Sequence, residues 1–144
     1  MEIPRDYTSV VRLLYAAFLR HDAATCLALF SDRAEWTAAE NFLYADESPY
    51  VGPEAIRRLM FGRLPEDWDD FSLTASEILG GAELVIASGR FKGIFKANGA
   101  PIDAQFVQVF QFSNGKIAKC QMYTDTAQFK ETIGTLRSPS ASRP

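Results

Sequence analysis

The chain predicts an α+β fold in which amino-terminal helices precede a curved, mostly antiparallel sheet. Three observations carry this. Val11, Leu14, Tyr15 and Phe18 fall at i, i+3, i+4 and i+7, the apolar stripe of a helix. In the second half, apolar and polar residues alternate in long runs, the period of strands. Asn114-Gly115 joins two such runs, the strongest short-range signal for a hairpin. The first arm, from Ile102 to Ser113, spans about 40 Å at roughly 3.3 Å per residue, and a strand that long bends.

The elements follow in order. Asp6 or Thr8 can cap a first helix running from about Ser9 to Arg20. Asp22 caps a second, shorter helix with Cys26, Leu27 and Phe30 on its apolar side, ended by Ser31-Asp32. Ala34 to Thr37 reads as a short strand. Residues 38–52 form a loop or irregular strand carrying Phe42, Tyr44 and Tyr50. Gly52-Pro53-Glu54 starts a third helix, because proline suits the first helical position and glutamate the positive end of the dipole. Ile56, Leu59, Met60 and Arg63 line one side of it, and Pro65 stops it. Strands follow from Phe71 to Leu79, from Leu84 to Phe95 with Gly93 as a bulge or bend, and through the hairpin arms. Asp125-Thr126 caps a last helix with Phe129, Ile133 and Leu136 on its apolar side. Helices followed by strands, rather than strands alternating with helices, place the chain in the α+β class. Residues 138–144 are rich in Ser and Pro and read as a disordered tail, leaving residues 1–137 as a single domain.

Composition narrows the function. A net charge of −3 and a pI near 5.2 argue against a nucleic-acid surface. No apolar run approaches the ~18 residues of a membrane span, and the first residues lack the pattern of a signal peptide, so a cytoplasmic location is expected. Cys26 and Cys120, far apart and among apolar neighbours, read as small buried residues. With His21 as the only histidine, no metal site is expected. With neither a phosphate-binding loop nor a dinucleotide fingerprint, no cofactor is expected. Alternation puts Phe106, Gln108, Phe110 and Phe112 on one face of the long strand. An amide among three phenyl rings is costly to bury without a partner. An aromatic wall with one polar group suits a pocket for a small hydrophobic molecule.

Several segments together resemble one family. They are Leu14-Tyr15 to Phe18, Leu27 to Asp32, Glu35-Trp36, Tyr50 to Ile56, Phe106 to Phe112 with Gly115 to Ile117, and Tyr123 to Ala127. From Tyr7 to Leu136 the chain resembles the SnoaL-like, ketosteroid-isomerase-like branch of the nuclear-transport-factor-2-like superfamily. The resemblance implies a cystatin-like cone, or α+β barrel: a curved sheet wrapped around the helices, with a pocket at its open end. It also implies a homodimer through the convex sheet face. That face would carry Val107, Val109 and Gln111, with Ile117, Lys119, Gln121 and Tyr123 beside them on the last strand.

The resemblance also locates catalytic slots. The isomerases' phenol falls at Leu14, next to Tyr15, their base near Ala38 and their second acid at Gln108. The cyclases' carboxylate on the last strand falls at Met122. Arg90 matches the arginine of the epoxide-hydrolase-like members, but Lys92 replaces its aspartate partner. Steroid isomerisation and acid-paired water activation are therefore not expected. The remaining catalytic candidates are Gln108 and Arg90 to orient or polarise an oxygen, and Asp125 or Glu40 to move a proton. Tyr15, Phe18, Trp36, Tyr50, Trp68, Phe106, Phe110 and Met122 are the candidate pocket walls. The expected function is a cofactor-independent isomerase, cyclase or dehydratase acting on a small hydrophobic carbonyl- or hydroxyl-bearing molecule. The alternatives are a binding module without catalysis and a structural dimer with a filled cone.

Overall fold

The computed structural model describes residues 6–134, apart from the side chains of Leu59 and Met60. The expected tail and Leu136 lie outside the described residues. Helix α1 spans Tyr7–Leu19, capped by Asp6, which accepts from the Thr8 N–H. Helix α2 spans Ala23–Ala28, capped by Asp22 accepting from the Thr25 N–H. It ends earlier than its apolar pattern suggests. Phe30 belongs instead to strand β1, Phe30–Thr37, where it pairs with Ile117. After β2, Tyr50–Val51, comes α3, Pro53–Ile56.

The winding then loosens to a π-helical turn over Arg57–Phe61, closed by the Gly62 N–H on the Arg57 carbonyl. A fresh helix, α4, covers Arg63–Asp67. Pro65 therefore does not stop a helix; it sits in the first turn of a new one, where its missing N–H has no intrahelical acceptor to lose. Strands β3 (Trp68–Gly80), β4 (Leu84–Phe95), β5 (Pro101–Ser113) and β6 (Lys116–Thr124) precede α5, Thr126–Gly134. Asn114 and Gly115 both adopt positive φ, 53° and 82°, as the tight hairpin turn between β5 and β6 requires.

The strands form one open, curved sheet in the order β2-β1-β6-β5-β4-β3. Neighbours run antiparallel except β1 and β6, which are parallel. The curvature has a local cause. Strand β3 carries an extra residue between Asp69 and Ser72 and another between Ala75 and Glu77. The extra residues face Gly93 and Gly89 of β4, so Gly93 receives a bulge rather than forming one. A Cβ on Gly89 would lie 1.8 Å from the Thr74 carbonyl oxygen, and one on Gly93 would lie 3.1 Å from the Phe71 ring. Bulges bend and twist the strand that bears them. The glycines let that strand come close.

Helix α1 and the turn between α3 and α4 fill the concave side. Ile102, Ala104, Phe106, Gln108, Phe110 and Phe112 of β5 all point inward and are buried. On β6, Lys119, Gln121 and Tyr123 lie on the convex face, but Ile117 is fully buried. The pairing shifts between Gln111 and Phe112, so Ala118 is an extra residue that moves Ile117 to the other side. Leu84, Ile86 and Tyr123 are exposed. Among the described residues no helix is long and apolar enough to cross a membrane.

Gly89→Ala forces the Thr74 backbone away or flattens the bend. A loss of about 3 kcal/mol is expected, the upper end of ordinary overpacking, read as a lower urea midpoint. An unchanged midpoint would show that β3 does not press on this position.

Candidate functional site

Gln108 is the centre of the concave face. Ala87 of β4 and Met122 of β6 flank it across the ladder, and it is 3% exposed. Tyr15 reaches it from α1, and its hydroxyl donates to Gln108 Oε1 at 2.6 Å. The phenol ring stands edge-on to Phe106 and Phe110, each 6.3 Å away between centroids. Burial raises the Tyr15 pKa, and the nearby Cys120 thiol adds to this, so the phenol keeps its proton. That proton is committed to the amide oxygen, which turns the amide NH2 the other way. The NH2 finds no protein acceptor among the described residues.

Beside this pair is an inner cavity of about 30 Å³, room for little more than one water. Its walls include Tyr15, Trp36, Phe61, Phe91, Gln108 and Met122. Among its described lining residues there is no carboxylate and no histidine. A second hollow of about 370 Å³ lies outside it, between α2, the π-helical turn and the start of β3. Phe18, Phe61, Leu64 and Phe71 border both hollows. Phe61 is the central barrier: its ring packs 5.8 Å from Phe18 and 5.4 Å from Trp36. The outer vestibule has an ionic rim that includes His21, Asp22, Arg57, Asp69, Asp70 and Lys96.

A polar latch fixes the neighbouring loop, residues 38–49. The Arg63 guanidinium donates to both oxygens of Asp46, at 2.8 and 2.9 Å, and lies 4.7 Å above the Tyr44 ring. The Tyr44 hydroxyl donates to Asp67 at 2.6 Å. Burial first, then this carboxylate, raises the Tyr44 pKa. The Tyr50 hydroxyl donates to the Tyr44 carbonyl and accepts from Arg63. The Arg63 pairing pulls the Asp46 carboxyl down to about 2.

The sequence candidates separate accordingly. Tyr15, Phe18, Trp36, Gln108 and Met122 line the inner cavity, and Phe18 and Trp68 the vestibule. Phe106 and Phe110 are core residues packed on Tyr15, and Phe106 also stacks on Phe91 at 4.4 Å. Tyr50 belongs to the latch, away from the cavity. Arg90 points outward, 51% exposed, and its Nε donates to Asp103 at 2.6 Å. The inward position next to it is taken by Phe91. Asp125 caps α5, accepting from the Gln128 N–H at 3.2 Å on the exterior. Glu40 is an exposed loop residue. The sequence reading missed Phe61. An α-helical stripe from Ile56 does not include it, whereas π winding brings residues five apart onto one face.

Comparison with known proteins agrees with this geometry. Residues 11–120 match the family model of the SnoaL-like domain. No curated protein matches the chain. Among solved structures, an NTF2-like protein of Burkholderia thailandensis E264 is similar at 29% identity and a TM-score of 0.85, over 90% of this chain and 98% of the other. TerC, co-crystallised with polyporic acid, is similar at 20% identity and a TM-score of 0.76, over 88% and 96%. IdmH of Streptomyces antibioticus, a proposed polyketide cyclase, is similar at 16% identity and a TM-score of 0.76, over 90% and 99%. These last two likenesses speak for the fold alone.

Two predictions follow from the buried and the half-exposed polar groups. Tyr15→Phe leaves the Gln108 oxygen buried without its donor and should cost about 1–3 kcal/mol, most of it recovered in the double variant Tyr15→Phe/Gln108→Leu. Additive losses in that cycle would deny the pair. The Asp46 pKa is lower folded than unfolded, so its contribution is complete above about pH 4 and fades as pH falls towards 2. Asp46→Asn should cost below about 1 kcal/mol at neutral pH, because solvent screens a half-exposed pair. The difference from the unmodified protein should vanish over that acid window, as followed by denaturant titration at each pH.

Proposed function

We propose, starting from a chain that belongs to the SnoaL-like family, that this protein takes a small, largely apolar, carbonyl- or hydroxyl-bearing molecule into its cone and orients it against the Tyr15–Gln108 pair. The observation that carries this reading is a polar pair, buried and hydrogen-bonded, whose remaining donor is turned towards an aromatic cavity. A purely structural core gains nothing from an amide there, since an apolar residue of the same shape fills the site without needing a partner.

The vestibule has the volume of a small-molecule pocket, and the inner cavity does not. A ligand therefore seats with its body in the vestibule and inserts its polar end once the Phe61 ring moves aside. The chemistry this arrangement supports is polarisation of an oxygen by neutral donors, without a resident cofactor. Apolar, aromatic walls around a bound ligand suit cyclisation or isomerisation of a molecule that supplies its own reacting carbons. Asp69 on the vestibule rim is the carboxylate this reading offers as a proton carrier, since Asp22 there is spent on the cap of α2. A second reading is a binding module that does no chemistry. It is favoured by the lack of any carboxylate or histidine among the described inner walls.

Small molecules extracted from the purified protein should be identified by mass spectrometry, and their retention compared across variants. Gln108→Leu should lower retention about tenfold, while Phe61→Ala, which joins the two hollows, should speed uptake and release. Retention unaffected by both changes would remove the cone as the binding site. Product formed from the extracted molecule, and lost in Gln108→Leu, would favour the enzyme over the binding module.

A further inference from the structure

The geometry points to a ligand that presents a neutral hydrogen-bond acceptor, a carbonyl oxygen, jointly to the Gln108 amide and the Trp36 indole N–H. This deepens the reading of the cone as a binding site and rests on it.

Trp36 borders the same inner cavity as Gln108 and is 2% exposed. Its indole N–H is buried and has no acceptor among the described residues. The residue is held in place: its backbone lies between Tyr50 of β2 and Cys120 of β6, and its ring packs against Phe30 and Phe61. A buried donor fixed in this way cannot turn out to water, and leaving it unpaired is costly. The other buried indole N–H without a partner, that of Trp68, is a different case. It favours the Tyr44 phenolate, so it lies towards that hydroxyl although outside hydrogen-bond geometry.

The polarity of the cavity follows from the proton count. Tyr15 spends its only proton on Gln108 Oε1. The donors left for a ligand are the Gln108 NH2 and the Trp36 N–H. No carboxylate, histidine or free carbonyl side chain among the described lining residues accepts in return. A carbonyl oxygen has two lone pairs and can receive two donors at once. An ammonium group would meet no carboxylate among the described walls and would lose its hydration, so it binds more weakly than a carbonyl even with aromatic faces around it. The Phe61 ring packs across Trp36 with the planes 82° apart. Moving it opens the passage beside the indole. One buried water is the competing occupant, because the closed cavity has room for it.

The test uses the full chain and three probes on one carbon skeleton: tetralone, with a carbonyl; tetralin, without one; and the aminotetralin cation. Affinity is measured by calorimetry and the indole N–H protons by NMR, with the Trp36 signal assigned by its loss in Trp36→Phe. Tetralone should bind at least about tenfold tighter than tetralin and tighter than aminotetralin, and tetralone alone should move the Trp36 N–H signal downfield. Gln108→Leu and Trp36→Phe should each reduce that preference, read as the ratio of tetralone to tetralin affinity in the same variant. Where a variant does not fold, the comparison of probes on the unmodified protein decides. Equal binding of tetralone and tetralin with an unmoved Trp36 signal would mean that a resident water satisfies the donors; that overturns this inference and leaves the cone as a binding site. Failure of both neutral probes to bind would overturn the binding site as well.

Discussion

The bend in the sheet is the constraint on which the interior depends. It comes from two surplus residues in β3, each lodged opposite a glycine of β4. A β-sheet twists without help, but a deep hollow needs strands that also curl, and bulges supply this. Because β3 curls over β4, Leu73 and Phe71 reach towards α1 and the π-helical turn instead of lying flat. On the next ladder, Phe91 stacks on its diagonal neighbour Phe106. Were the sheet flatter, α1 would pack on it as on an ordinary layer, and Tyr15 would lose its reach to Gln108.

Within that hollow, one hydrogen bond sets the electrostatic character. A glutamine side chain is chemically two-faced, with an acceptor and a donor at the same distance from the backbone. Tyr15 removes the ambiguity by engaging the oxygen. The phenol is reliable in this role because burial keeps it protonated. A site formed without charges costs less to desolvate than an ion pair, and it discriminates by the direction of its hydrogen bonds rather than by Coulomb attraction. The ionic groups are kept to the rim of the vestibule, where they stay hydrated.

Much of the fold was legible because it is written locally. The stripe on α1, the caps at Asp6 and Asp22, and the Asn114-Gly115 turn each declare themselves within a few residues. The inward set on β5 follows from strict alternation, and so Gln108 could be singled out. The errors arise where a register shift intervenes. Ala118 moves Ile117 to the inner face, and only the pairing with β5 reveals it. Arg90 was assigned inward from a family slot, whereas its own strand alternates with Phe91 buried, so the local pattern outweighed the analogy. Phe61 was hidden for a different reason: an apolar stripe read with a period of 3.6 skips it, and the turn that presents it has another period. Asp125 and Glu40 are carboxylates near the right places in sequence, but one is spent on a helix terminus and the other faces solvent.

The turn that carries Phe61 is anchored on both sides. Ile56 is buried in the core before it, and Arg63 grips Asp46 after it. Between two fixed posts, the number of residues decides where the intervening side chains are aimed. Adding or removing one residue there would turn the barrier ring to another face of the helix while leaving both posts seated. Chain length in this short stretch, more than the identity of any wall residue, is therefore the economical means of reshaping what the cone admits.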